Sequence, residues 1–145
     1  MSTTRFVSLA AALTLVLTGA CGGDAPRVAA PAPSVMRIGG GNNQYWIAGL
    51  KLPASLAVVL ESAGGDPLAN VSVLWKVTSG GGTVGGEDAP NHGVSGYLIS
   101  IPSNQNGISQ VIWVLGPTLG PQSLTASVTG FLGSPATFSA TATSQ

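Results

Sequence analysis

The chain has 145 residues, only 7% of them charged, and its five basic and five acidic side chains cancel to a formal net charge of zero. A nucleic-acid binder needs a basic face to track phosphates, so that class is excluded. Gly 21 and Pro 10 would suit a disordered chain, but a hydrophobic fraction of 44% without net charge does not, while the single cysteine excludes an internal disulfide and the single histidine a multi-histidine metal site.

The chain opens with one basic side chain, Arg5, then the apolar run Phe6–Leu17, then Thr18, Gly19 and Ala20 ahead of Cys21. A basic start, an apolar stretch and small residues before a cleavage point are the layout of a secretory signal peptide. The apolar run is shorter than the roughly 20 residues a membrane-spanning helix needs. Leu17-Thr18-Gly19-Ala20-Cys21 resembles the lipobox of bacterial lipoproteins. The resemblance implies that residues 1–20 are a signal peptide cleaved before Cys21. It also implies lipidation of Cys21, with the membrane as partner through that anchor. Thr18 stands where leucine is usual. Gly22, where aspartate would resemble an inner-membrane retention signal, favours the outer membrane. The competing reading is an ordinary signal peptide followed by a chance cysteine.

Residues 21–40 mix Gly, Ala and Pro without periodicity and read as the lipidated cysteine followed by a flexible tether. From Gly41 the pattern changes to period two. Leu56, Val58 and Leu60 alternate with Ala57, Val59 and Glu61. Val71, Val73, Trp75 and Val77 alternate with Ser72, Leu74, Lys76 and Thr78. Ser109, Val111, Trp113 and Leu115 form a third series, Leu124, Ala126 and Val128 a fourth, and Ala136, Phe138, Ala140 and Ala142 a fifth. Such segments bounded by Gly/Pro clusters predict strands. Shorter strands are expected near Gln44–Ala48 and Tyr97–Ile101. Glycines and prolines interrupt any helical period after residue 40. The fold class is therefore all-β: one immunoglobulin-like β-sandwich over residues 41–145, of about seven antiparallel strands in two sheets.

Several of these stretches are shared with a known family. Val71-Ser72-Val73-Leu74-Trp75-Lys76-Val77 running into Ser79-Gly80-Gly81-Gly82, then Asn106-Gly107, Trp113-Val114-Leu115-Gly116 and Gly120-Pro121-Gln122, resemble bacterial immunoglobulin-like domains of the invasin and intimin type. Ser134–Ala142 resembles the family's last strand. Two departures stand out. Ser103-Asn104 replaces the Thr-Asp that usually opens the Asn-Gly turn, and residues 85–103 form a longer link than usual. The family usually occurs as tandem repeats, whereas this chain holds one copy.

Titratable groups that could converge are few. Glu87, Asp88 and His92 cluster in the long link and could in principle hold a metal, but a solvated polar loop is the better account of them and no metal site is expected. A Ser-His-Asp triad drawn with Ser95 or Ser100 lacks the strand-turn-helix elbow that would support it. The runs Gly80–Gly82 and Gly85-Gly86 are turns, because no Gly-Lys-Ser/Thr follows to make a phosphate loop. Trp75 and Trp113 fall on inward phases and should be core. Tyr45 and Trp46 are adjacent, so one of them must face outward in a strand, and Tyr97 lies in the long link. These three are the candidate ligand contacts, for sugar stacking or for anchoring a protein. The competing reading is that they cap the end of the sandwich.

The expectation is a non-enzymatic cell-envelope lipoprotein without cofactor, whose domain serves adhesion or protein or glycan interaction. The alternative is a structural spacer or assembly subunit pairing through an edge strand, with 44–48 and 136–142 as candidate edges. A metal-assisted hydrolase at Glu87, Asp88 and His92 is a third.

Overall fold

The computed structural model describes residues 34–86 and 94–145. Cys21, the signal-peptide segment, the tether up to residue 33, and Glu87, Asp88 and His92 lie outside the described residues. None of the described residues is helical. The strands are β1 (Val35–Gly40), β2 (Gln44–Ile47), β3 (Leu56–Glu61), β4 (Ser72–Ser79), β5 (Thr83–Gly86), β6 (Val94–Gly96), β7 (Leu98–Pro102), β8 (Ile108–Val114), β9 (Gly120–Ser127) and β10 (Ala136–Thr143).

They form two five-stranded sheets, one in the order β1-β3-β8-β5-β6 and the other in the order β2-β10-β9-β4-β7. The alternation read from the sequence is the alternation of burial. Val73, Trp75 and Val77 of β4 are buried, and so are Leu124 and Ala126 of β9, with Leu56, Val58 and Leu60 opposite them on β3. A period of two places every second side chain on one face, so two such faces close over a single core. At its centre Trp75 tilts against Phe138 with ring centroids 5.4 Å apart. The buried Trp75 indole N–H donates to Ser109 Oγ at 3.0 Å, and that hydroxyl donates to Ile101 O at 3.0 Å. The polar edge of a core tryptophan is thereby satisfied without water. This is the immunoglobulin-like β-sandwich that the patterning predicts.

Three points differ from the expectation. First, the domain begins before residue 41. β1 occupies the last residues of the expected tether and pairs with β3 from Val35↔Glu61 to Gly40↔Ala57. Met36 is 2% exposed, and its N–H donates to Leu132 O at 2.8 Å. A buried methionine in a bonded strand is part of the core, and glycines at 39 and 40 had hidden it. Second, the described residues hold ten strands: β5 runs through Gly85-Gly86, which pair with Ile112 and Val111 and are not the turn expected, and the chain changes sheet at both lateral edges. It passes from β1 to β2 across residues 41–43 and from β6 to β7 at Tyr97. At the first crossing Gly41 has φ +80, and a Cβ there would strike the backbone of Ser55, so only glycine fits. Third, β2 pairs with β10 in parallel, from Ala140↔Gln44 to Thr143↔Ile47. β10 therefore lies between β2 and β9 and is not an edge; the edge strand there is β2.

Candidate functional site

The three candidate aromatics do not form one site. Tyr45 and Trp46 lie on β2 at one edge of their sheet, and Tyr97 lies beside β7 at the other. Four strand spacings separate them, about 19 Å. Tyr45 stands beside Thr141 on the outer face and is 73% exposed. Trp46 stands beside the buried Ala142, so it is on the inner phase, yet at the open edge it is still 38% exposed. The single outward ring expected of this pair is thus joined by a second, half-covered one. Thr143 Oγ1 donates to Trp46 O at 3.2 Å and ties the two strands.

Tyr97 is 68% exposed, but its backbone is held: Val77 N–H donates to Tyr97 O at 2.8 Å. Its ring belongs to a cleft of about 450 Å³ between the β4–β5 corner and the β6–β7 crossing, with Thr78, Ser79, Gly82, Thr83 and Gly96 among its lining. Thr78 Oγ1 and Ser79 Oγ both bond Ser123 Oγ of β9, at 2.7 and 2.8 Å. The three hydroxyls make a short chain, of which Thr78 and Ser79 border the cleft and Ser123 does not. Apart from the Tyr97 phenol, no ionisable side chain lines the cleft among the described residues.

Gly82 shows why the corner carries glycines. A Cβ there would run into Val114 O and would come 2.9 Å from the Trp113 indole Nε1. That indole N–H is buried and has no hydrogen-bond partner among the described residues. The corner is closed from the other side by Gln122, 1% exposed. Its amide accepts from Gly116 N at 2.8 Å and donates to Gly116 O at 3.1 Å and Thr118 O at 2.7 Å. The Gly-x-Gln stretch of the sequence resemblance is therefore a structural clamp. The departure at Ser103-Asn104 is likewise chemically mild. Ser103 Oγ accepts from Val71 N and donates to Leu68 O. Asn104 Oδ1 accepts from Asn106 N and Ile108 N. Threonine and aspartate would offer the same two oxygens.

Charge plays a small part. Arg37 Nη2 donates to Glu61 Oε1 at 2.6 Å across β1 and β3, on the solvent side. That hydrogen bond, reinforced by the guanidinium charge, holds the Glu61 carboxyl below its ordinary range. No three His, Cys, Asp or Glu side chains come together among the described residues. Reading the sequence singled out Tyr97 but missed Thr78, Ser79 and Ser123. The outward phase of Thr78 and Ser123 was legible, but the register shift that brings Ser79 opposite Ser123 and the pairing of Thr78 with a hydroxyl 45 positions away were not.

No protein-family model matches the chain, and no curated protein matches it significantly. Solved structures do. Domains 4 and 5 of the S-layer protein SbsC align with TM-score 0.49 and 14% identity, over 79% of this chain and 54% of that one. The adhesin InvE of Yersinia pseudotuberculosis aligns with TM-score 0.51 and 19% identity, over 78% of this chain and 32% of that one. The Lin-41 filamin domain aligns with TM-score 0.41 and 21% identity, over 76% and 95%. The chain spans about half of the S-layer structure and about a third of the adhesin. At these identities the InvE likeness bears on the fold, and the fold is the sandwich described above.

Proposed function

We propose that this chain is an exported, non-enzymatic interaction module of the cell envelope, serving adhesion or protein or glycan binding and anchored through a lipidated Cys21. The observation that carries the reading is the division of the aromatic residues. Trp75, Trp113 and Phe138 are fully buried and fill the core, whereas Tyr45, Trp46 and Tyr97 remain exposed on a domain that is closed without them. Exposed rings with a polar tip are what recognition surfaces use. The likeness to a fragment of an adhesin agrees with this reading. The test is a screen of the exported chain against purified envelope glycans and envelope proteins, beside mass spectrometry of its mature N-terminus. Saturable binding by a chain carrying a diacylated Cys21 is expected. A chain that binds nothing in either set sinks the reading, and an unmodified Cys21 thiol removes the anchor.

A second reading, assembly through an edge strand, is favoured by β2. It is an edge strand, has four residues and carries no charged side chain to discourage a partner. The opposite edge strand of that sheet is better defended: its register turns the backbone of Pro102, which lacks an N–H, outward. Concentration-dependent oligomers in size exclusion, abolished by Tyr45→Lys, would favour this reading; a monomer at every concentration would end it.

A further inference from the structure

We infer that the cleft beside Tyr97 binds one neutral sugar ring. The inference rests on the interaction-module reading and names a ligand class and a place for it. Four observations carry it.

The first is size. A volume of about 450 Å³ lies at the small end of ligand pockets, suited to a single ring and its substituents. The second is the platform. Tyr97 presents a flat ring, 68% exposed, on a backbone pinned by the Val77 N–H bond. A pyranose offers an apolar face of C–H groups to such a ring. The third is the hydroxyl chain. Thr78 and Ser79 border the cleft, and each is hydrogen-bonded to Ser123, which is outside the lining. Their hydroxyls keep lone pairs for a ligand, and Thr83 brings a third hydroxyl-bearing residue to the wall. Groups that both donate and accept match sugar hydroxyls, which do the same. A carboxylate or phosphate would instead call for donors and positive charge. The fourth is the absence of that charge: no Lys, Arg, Asp or Glu lines the cleft among the described residues. Lys76, two residues before Thr78 on the same outward phase, is not part of the lining. The glycines contribute by omission, since Gly82 and Gly96 bring bare backbone to the wall.

The position also supplies a local reporter. A side chain added at Gly82 would meet the Trp113 indole nitrogen, which therefore lies just behind that wall, so an occupant of the cleft should shift its N–H resonance. The full chain is titrated by NMR with methyl mannoside, methyl galactoside, methyl glucoside and N-acetylglucosamine, with glucuronate and sialic acid as charged probes. Saturable movement of the Trp113 indole signal by at least one neutral sugar is expected. Tyr97→Ala should weaken that binding roughly tenfold while Tyr97→Phe retains it, in line with the worth of an aromatic contact. Thr78→Val keeps the side-chain shape, removes the hydroxyl and should also weaken binding. An unchanged melting temperature shows that each variant is folded. Neutral-sugar binding that survives Tyr97→Ala and Thr78→Val, or that is lost with Trp46→Ala, overturns the cleft assignment and leaves the interaction module standing. Binding confined to the acidic probes and lost with Lys76→Ala overturns the ligand class. No sugar binding overturns the inference, and the separate envelope-protein screen then decides whether the broader reading falls with it.

Discussion

Gln122 has three hydrogen bonds to the backbone of one loop, at Gly116 and Thr118, and no exposure to water worth the name. Its removal leaves the buried Gly116 N–H without its partner, whereas Gly116 O keeps the Gly49 N–H and Thr118 lies exposed to water. A buried group left unpaired costs about 1–3 kcal/mol. Gln122→Ala should therefore destabilise the domain by about 1–3 kcal/mol, whereas Ser127→Ala, at an exposed 3.4 Å contact, should change it little. Urea unfolding of the two variants measures the difference. Glu61 illustrates the opposite regime. Its carboxyl is held below its unfolded value, about 4.3, by the Arg37 hydrogen bond. A depressed carboxylate contributes stability that is present above the unfolded value and lost as pH falls through the folded one. The wild-type chain should therefore outlast Glu61→Gln at pH 7 and lose that advantage in the acid range. Both side chains are solvent-facing, so the advantage should be small and should shrink further with added salt. An advantage that persists at low pH would show that the ion pair is not its source.

At the scale of elements, period two located the long strands because each buries a row of side chains under a facing sheet. It was blind to the rest for identifiable reasons. β1 reads VMRIGG and β5 reads TVGG, and glycines erase the alternation by leaving no side chain to place. Strand direction is also invisible to alternation, so the parallel partnership of β2 with β10 had no signature in either strand. The reassignment of β1 is directly testable. If residues 35–40 were a tether, Met36→Ala would leave stability unchanged. As a buried strand residue bonded to Leu132, Met36 should cost about 2–5 kcal/mol on truncation to alanine. Thermal unfolding of the variant, and slow exchange of the Met36 amide, decide between the two.

For the molecule as a whole, composition and patterning were enough to reach a single sandwich whose chemistry is poor in titratable groups. They were not enough to assemble a site. The cleft needs Thr78 and Ser79 from the end of one strand, Gly82 and Thr83 from the start of the next and Tyr97 from a crossing between sheets. Those neighbourhoods are set by register, and register depends on which strands pair. The aromatic residues Tyr45 and Trp46 could be singled out as unneeded by the core, but their distance from Tyr97 follows only from the strand order. A binding surface of this kind is visible in a sequence as surplus side chains and becomes a location only once the sheets are drawn.

The parallel run of β2 along β10 has a mechanical consequence. Four successive positions pair there, and Asn43 N–H to Ser139 O and Ala48 N–H to Thr143 O bracket them at 2.9 Å each. A force entering through the chain before β2 and leaving through the chain after β10 drags the two strands lengthwise past each other. Their bonds then resist together as a shear clamp, where strands peeled apart from one end would surrender them singly. Stretching single molecules between residues 42 and 145, which leaves β1 out of the path of the force, should give one abrupt high-force rupture. Tyr45→Pro, which deletes one N–H from β2, should lower that force more than it lowers the unfolding midpoint in denaturant.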